Sequence, residues 1–210
     1  IGMLFIGFVG LWEDTMITLA IVTVSTLLAI VIGIPIGIMM ARSDRAQALV
    51  NPILDVMQTL PSFVYLIPVV MVFGIGKVPG VIAVVIYAVP PMIRLTNLGI
   101  RLVDREVLEA ADAFGSSPRQ KLVNVQIPLA LPTVMAGINQ TIMMSLAMVV
   151  VASMIGVGGL GKNVLQAISN QFLTIGFLNG FALVAIAIIF DRASQAYGKR
   201  LQRHTEVVHG

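Results

Sequence analysis

TMITLAIVTVSTLLAIVIGIPIGIMMA, residues 15–41, is a mostly apolar stretch that contains no charged side chain. A helix that crosses the hydrocarbon core of a bilayer needs about 20 mostly apolar residues, so this segment is long enough to span a membrane. Glu13 and Asp14 precede the stretch and Arg42 follows it. The segment therefore predicts a transmembrane helix with charged groups at both ends.

The same apolar bias extends over the whole chain of 210 residues, of which 58% are hydrophobic and 11% are charged. The mean hydropathy is +0.98. A soluble domain has about 25% charged residues, so a soluble chain of this composition would lack the polar groups to cover its surface. The composition predicts an all-α membrane protein that crosses the bilayer several times.

Stretches without charge predict about five spans in one transmembrane domain, residues 1–210. The stretch 122–161 is too long for one span. We interpret the segment that contains Pro128 and Pro132 as a connection that precedes the fourth span. Residues 1–9 are too short to span and predict the end of a preceding helix. The approximate spans are 15–41, 56–76, 78–99, 133–155 and 172–190.

Basic residues predict the orientation, because cytoplasmic loops of membrane proteins are enriched in Lys and Arg. Only Lys77 and Lys162, of the 13 basic residues, fall on the opposite side from the rest. We therefore expect the charged loop 101–127 in the cytoplasm and the loop 156–171 outside. The cytoplasmic set is Arg42, Arg45, Arg94, Arg101, Arg105, Arg119, Lys121, Arg192, Lys199, Arg200 and Arg203.

The loop sequence GVGGLGKN, residues 156–163, nearly matches the phosphate-binding pattern G-x-x-x-x-G-K-[ST]. Asn163 replaces the hydroxyl residue that would bind Mg²⁺. Asp191 follows an apolar run, as the Mg²⁺-binding Asp of such sites does, but the predicted topology places it on the other side of the membrane. We therefore predict a tight glycine loop followed by a short amphipathic helix at 163–171. Cysteine is absent and only two histidines occur, so no metal site is predicted.

The charged segment 103–121 has the pattern of two short helices joined by a sharp bend. Asp104 is suited to cap a helix at 105–114, and Gly115 is suited to end it. Ser117 and Gln120 then have the spacing of a capping box around Pro118. A flexible loop would be enough to connect two spans, so this rigid design predicts a surface that docks a partner.

Two motifs in this segment resemble the cytoplasmic signature of ABC importer permeases: EAADAFG at 109–115 and, nine residues later, VQIP at 125–128. Val125 and Ile127 replace the Ile and Leu of the usual pattern. Longer stretches are similar to permeases of the glycine betaine/proline importer family. These are LDVMQTLPSFVYLIPVVMVFGIGKVPG (54–80), VPPMIRLTNLGIR (89–101), INQTIMMSLAMVVVASMIGVGGLG (138–161) and FDRASQAYGKR (190–200).

The resemblance implies the type I ABC importer transmembrane fold and a location in the bacterial inner membrane. It implies a transport subunit rather than an enzyme, with no cofactor of its own, since separate ATPase subunits bind ATP and Mg²⁺. The implied partners are two ATPase copies, a second permease copy and an external binding protein, but no nucleic acid. The implied ATPase-coupling residues are Val107, Leu108, Glu109, Ala110, Ala111, Phe114, Gly115, Ser116 and Pro118, with Val107, Leu108, Ala111 and Phe114 on one apolar face.

The resemblance also implies a small zwitterionic or quaternary-amine solute. Glycine betaine, proline betaine, choline, carnitine and trimethylamine N-oxide all fit this description. Polar residues within the spans are candidates for lining its path, although such residues also hold helices together. The candidates are Gln58, Thr59, Ser62, Tyr65, Asn139, Gln140, Thr141 and Ser145.

The main alternative is an ion-coupled secondary transporter or a channel subunit for similar solutes. A proton- or sodium-coupled transporter needs ionisable residues in mid-membrane. Asp55, Arg94 and Asp191 lie at or near the predicted cytoplasmic ends instead. A passive channel would have no need of capped docking helices.

Overall fold

The computed structural model describes Gly7 and residues 10–207, with side chains as far as Gly198. These residues form helices and short connections, without a strand. The helix end predicted at 1–9 lies outside the described residues, apart from Gly7. The helices are α1 (Trp12–Arg42), α2 (Asp44–Thr59), a 3₁₀ turn (Ser62–Tyr65), α3 (Leu66–Phe73), α4 (Lys77–Arg101), α5 (Arg105–Ala113), α6 (Pro118–Ile155), α7 (Leu160–Asn170) and α8 (Leu173–Val207).

Four of the described helices, α1, α4, α6 and α8, are long and apolar enough to cross a membrane. A fifth span is present if α2 and the segment Ser62–Phe73 count as one bent unit. The all-helical membrane class with about five spans is therefore confirmed.

The single span predicted at 56–76 is wrong in shape, because α2 and the segment Ser62–Phe73 meet at 113°. Leu60 and Pro61 both have extended backbone, with ψ of 133° and 140°. A proline disfavours the helical conformation in the residue before it, so Pro61 accounts for the break at Leu60. The apolar composition of the segment is continuous, but the helix axis is not.

The helix that contains the span predicted at 133–155 begins well before that span. The helix α6 runs without a break from Pro118 to Ile155, and its residues Lys121–Gln126 have π-helical hydrogen bonding. Proline lacks an N–H and clashes with the carbonyl four residues earlier, whereas a π turn is wider. The π segment directly before Pro128 thus lets the helix continue from the docking segment into the bundle.

Close contact between α1 and α4 depends on two glycines one helical turn apart. A Cβ atom at Gly37 would lie 2.6 Å from the Thr96 Cβ and 2.8 Å from the Ile93 carbonyl oxygen. A Cβ atom at Gly33 would lie 2.7 Å from the Met92 Cγ. This G-x-x-x-G pattern lets two helix backbones approach closely. Gly33 and Gly37 are therefore packing points between α1 and α4.

A polar network fastens the 156–171 loop to α1 and α8. Thr18 Oγ1 donates to the Asp14 carbonyl oxygen (2.8 Å) and accepts from the Leu160 N–H (3.0 Å). Asn163 Nδ2 donates to Asp14 Oδ2 at 2.6 Å and to Asn179 Oδ1 at 3.1 Å. Asn163 therefore has a structural role. Asp191 lies 12 residues beyond Asn179 on α8, about 18 Å along the helix, so it is far from Asn163 and does not share a site with it.

Replacing Gly159 with alanine should lower the thermal stability of the protein in detergent. Gly159 has a φ of +96°, and a Cβ atom there would lie 2.5 Å from Thr18 Oγ1. Both the left-handed backbone and the contact oppose a side chain, so we expect a loss of about 2 kcal/mol or more. The neighbouring Gly158→Ala is the control, because its nearest contact would be 3.9 Å away. Equal melting temperatures for the two variants would contradict this role of Gly159.

Candidate functional site

The docking helix α5 begins at the predicted cap. Asp104 Oδ1 accepts a hydrogen bond from the Glu106 N–H at 2.9 Å. This bond satisfies one of the free N–H groups at the start of the helix, and Glu106 adds negative charge to the first turn. The helix then runs over Arg105–Ala113, and none of its residues is buried.

Gly115 ends the docking helix as predicted. Its φ is +75°, and a Cβ atom there would meet nothing within 4 Å. The Ser116 N–H donates to the Ala111 carbonyl oxygen at 3.0 Å, and the Phe114 N–H donates to that of Ala110 at 3.1 Å. These bonds satisfy carbonyl groups at the helix end, so glycine is required for its backbone conformation and not for space.

The start of α6 is fixed against α5 by a capping box and an ion pair. Ser117 Oγ accepts from the Gln120 N–H at 3.4 Å, while Gln120 Oε1 accepts from the Ser117 N–H at 2.8 Å. Lys121 Nζ donates to both carboxylate oxygens of Asp112, at 2.6 and 2.7 Å. The capping predictions are confirmed, and the ion pair adds a contact that holds the two helices at a fixed angle.

The exposed surface of the docking helix centres on Phe114, whose side chain is 91% exposed. Val107 is 41% exposed, and Glu109 and Ala110 are exposed beside them. Leu108 is half-buried, as are Ala111 and Ser116, while Pro118 is exposed. Of the four residues of the predicted apolar face, Val107 and Phe114 are exposed, whereas Leu108 and Ala111 are partly covered by the chain itself.

Three of the eight candidate path residues are buried in helix contacts. Thr141 Oγ1 donates to the Gly137 carbonyl oxygen at 2.8 Å, and Ser145 Oγ accepts from Thr26 Oγ1 at 3.4 Å across α1 and α6. The buried Tyr65 donates its hydroxyl proton to the Met57 carbonyl oxygen. Their bonds are made within the chain, which favours helix packing over a path lining for these three.

Asn139 belongs to a polar cluster between α6 and α8. Its Nδ2 donates to Asp191 Oδ1 at 2.9 Å, and its Oδ1 accepts from Ser194 Oγ at 2.9 Å. Ser194 was not among the predicted candidates for the path, although its i, i+3 spacing from Asp191 predicts that the two share a helix face. Gln140 is exposed on the next position of α6.

The remaining candidates lie near the bend after α2, where Gln58 and Thr59 are exposed and Ser62 is half-buried. One helical turn before them, Asp55 forms an ion pair with Arg94 of α4. The sequence analysis did not place these two charges among the path candidates. Asp55 and Arg94 are 39 residues apart, so the sequence does not indicate that they pair. The spacing of Asp55 from Gln58 and Thr59 does predict that these three residues share a helix face.

A second ion pair marks the end of α4. Arg101 Nη2 donates to Asp44 Oδ1 at 2.7 Å and to the Met40 carbonyl oxygen at 2.9 Å, while its Nε donates to Asn97 Oδ1 at 3.2 Å. Arg101 thereby joins the ends of α1, α2 and α4 next to the docking segment.

The described residues form a helix bundle of the membrane-spanning class that carries a capped, exposed helix between two spans. Its fold is similar to that of a chain of the MetNI methionine ABC transporter, solved in inward-facing conformations, with a TM-score of 0.80 and 21% sequence identity. The match covers 88% of this chain and 93% of that chain. The chain therefore has the predicted transmembrane fold of type I ABC importers.

Residues 33–203 match the family described as binding-protein-dependent transport system inner membrane component, and the chain belongs to this family. It is thus a multi-pass protein of the inner membrane, as predicted. The glycine betaine/proline betaine transport system permease protein ProW of Escherichia coli is 53% identical over 95% of this chain. The glycine betaine/carnitine transport permease protein GbuB of Listeria monocytogenes is 54% identical over 95% of this chain. The chain spans 56% of the length of ProW and 71% of the length of GbuB.

Proposed function

We propose that this chain is the permease subunit of an ATP-driven importer that moves a small zwitterionic or quaternary-amine solute into the cytoplasm. The observation that carries the proposal is the docking helix, which is capped at its start, stopped at Gly115 and exposed at Phe114. Membership of the binding-protein-dependent family supports it. The similarity to ProW and GbuB supports glycine betaine, proline betaine or carnitine as the solute.

The proposed assembly has two permease copies, two cytoplasmic ATPase subunits and an external binding protein. The chain itself is not the enzyme in this assembly, because ATP and Mg²⁺ bind to the ATPase subunits. Each α5 docks in a cleft of one ATPase through Val107 and Phe114. The fixed angle at Gly115 and the pair between Asp112 and Lys121 transmit movement of the ATPase into α6.

Reconstitution into proteoliposomes tests this function. The chain is assembled with its ATPase and binding protein, and uptake of radiolabelled glycine betaine is measured with ATP inside the vesicles or with an ion gradient alone. We expect uptake that requires ATP and the binding protein. Uptake driven by a proton or sodium gradient without ATP would overturn the proposal in favour of an ion-coupled transporter, and gradient-free passive flux would favour a channel.

Substitutions in the docking helix should uncouple ATP hydrolysis from transport. Glu109→Lys reverses an exposed charge on the docking face, and Gly115→Val places a β-branched residue in a backbone conformation with φ of +75°. The first weakens contact with the ATPase, and the second changes the angle between α5 and α6, so each should reduce uptake by about tenfold or more. Uptake and ATPase activity are measured in parallel. Wild-type uptake in either variant would show that the docking assignment is wrong.

A further inference from the structure

The ion pair between Arg94 and Asp55 joins α4 to the last turns of α2, before the bend. Arg94 Nη2 donates to Asp55 Oδ1, and the two side chains remain 37% and 64% exposed. Both charges are therefore accessible from the surface of the single chain. The pair between Arg101 and Asp44 is similarly open, at 32% and 91%, so Arg94 differs from Arg101 in its position and in a donor that has no partner among the described residues.

The pair lies deeper in the bundle than the end of α4. Arg101 marks that end and already joins α4 to Asp44 and to the Met40 carbonyl oxygen. Arg94 precedes it by seven residues, which is about 10 Å along the helix. Arg94 therefore lies near the predicted cytoplasmic end of the span, about two helical turns before the anchored end of α4. Because Arg101 already fastens the helix end, the deeper pair is available for another role.

The guanidinium of Arg94 is not fully used by Asp55. Its Nε atom is buried and has no hydrogen-bond partner among the described residues. A buried donor without an acceptor is unfavourable, so an additional acceptor would stabilise this side chain. Arginine presents its N–H groups as a planar fork that matches a carboxylate.

Other groups suited to the same solute lie along this side of the bundle. Tyr87 precedes Arg94 by seven residues on α4 and so shares its helix face, and its ring makes an edge contact with that of Tyr65 at 5.6 Å. Gln58 and Thr59 follow Asp55 by one turn of α2 and are exposed. Aromatic faces attract quaternary ammonium groups. Along α4, Tyr87 is about 10 Å from Arg94, so these groups would meet a moving solute in succession.

We infer that Arg94 and Asp55 form a transient binding site for a zwitterionic solute near the cytoplasmic end of its path. The solute carboxylate takes the place of Asp55 on the Arg94 fork, and its ammonium group takes the place of Arg94 beside Asp55. Exchange of one ion pair for two complementary contacts keeps every charge paired while the solute passes. The inference rests on the importer function proposed above and specifies its substrate contact.

A double variant separates this role from simple helix fastening. Arg94→Met/Asp55→Leu removes both charges and fills the contact with apolar groups, a change that is often neutral or stabilising for an ion pair. The control pair is Arg45→Met/Glu13→Leu, which removes one exposed charge of each sign without breaking an ion pair of the described residues. Both are assembled with the ATPase and binding protein in proteoliposomes, and ATP-dependent glycine betaine uptake is measured over a range of concentrations.

We expect the Arg94/Asp55 variant to lose at least about tenfold in maximal uptake rate, because contacts with charged groups are lost. The half-saturating concentration should be unchanged, because the binding protein captures the solute. The control pair should stay within about twofold of wild type, since its charges lie outside the proposed site. Arg94→Lys, which keeps the charge without the fork, should show a several-fold loss.

Wild-type uptake by the folded Arg94→Met/Asp55→Leu variant would overturn the proposed site. If this double variant does not assemble with the ATPase, wild-type uptake by Arg94→Lys would overturn it instead. Failure of the importer function itself would look different. In that case the wild-type assembly would show no ATP-dependent uptake at all.

Discussion

Replacement of Phe114 with alanine should abolish most ATP-dependent uptake while leaving the stability of the permease almost unchanged. The side chain is 91% exposed, so the fold gains little from it. Burial of a phenylalanine in a partner contributes about 2–3 kcal/mol, and anchor residues of this kind dominate protein interfaces. We therefore expect the ATPase to bind at least about 30-fold more weakly to the variant. Affinity is measured by titration of the ATPase onto the detergent-solubilised permease, and stability by its melting temperature.

Tyr197→Ala is the matched control for this experiment. Tyr197 is an aromatic residue of α8 that is 62% exposed but lies outside the docking helix. Its replacement removes a similar exposed ring and should leave ATPase binding unchanged. If Phe114→Ala bound the ATPase as tightly as the control does, Phe114 would not be the anchor of the docking surface.

Replacement of Gly37 with leucine should prevent the bundle from forming. The shortest contacts of an added Cβ atom would be with the Thr96 Cβ at 2.6 Å and with the backbone oxygen of Ile93 at 2.8 Å. The backbone of α4 cannot move aside as a flexible side chain can, so α1 and α4 must separate. We expect a loss of more than about 3 kcal/mol and aggregation or degradation of the chain.

Gly180→Leu tests whether any bulky residue in a helix would have the same effect. Gly180 also lies within a long apolar helix, but a Cβ atom there would meet nothing within 4 Å. This variant should express and elute as a single peak in size-exclusion chromatography. Normal folding of Gly37→Leu beside it would show that the α1–α4 contact tolerates a larger separation.

The parts of the fold that depend on local chemistry could be predicted from the sequence. The cap at Asp104, the stop at Gly115 and the capping box at Ser117 each need only neighbouring residues, and the structure has all three. Apolar length likewise predicts the helices that are able to cross the membrane. These features depend on hydrogen bonds between neighbouring residues or on the hydropathy of one continuous stretch of chain.

Directions and distant contacts could not be predicted in this way. The 113° change of direction after Thr59 leaves the hydropathy of the segment unchanged. The uninterrupted course of α6 depends on a π turn before Pro128, which no residue type specifies. Thr141 and Ser145 have the composition of a polar path, but their neighbours in space make them packing contacts. The pair of Asp55 and Arg94 depends on tertiary packing of α2 against α4. In that contact, Leu54 lies in one cluster with Val89 and Ile93.

The unbroken helix α6 has a mechanical consequence. Its 38 residues from Pro118 to Ile155 correspond to a rod of about 55 Å that carries the docking segment at one end and leads into the 156–171 loop at the other. A tilt of about 10° around its middle would move each end by about 5 Å in opposite directions. A small rotation of α6 imposed at one surface of the membrane would therefore displace its residues at the other surface without any change of secondary structure.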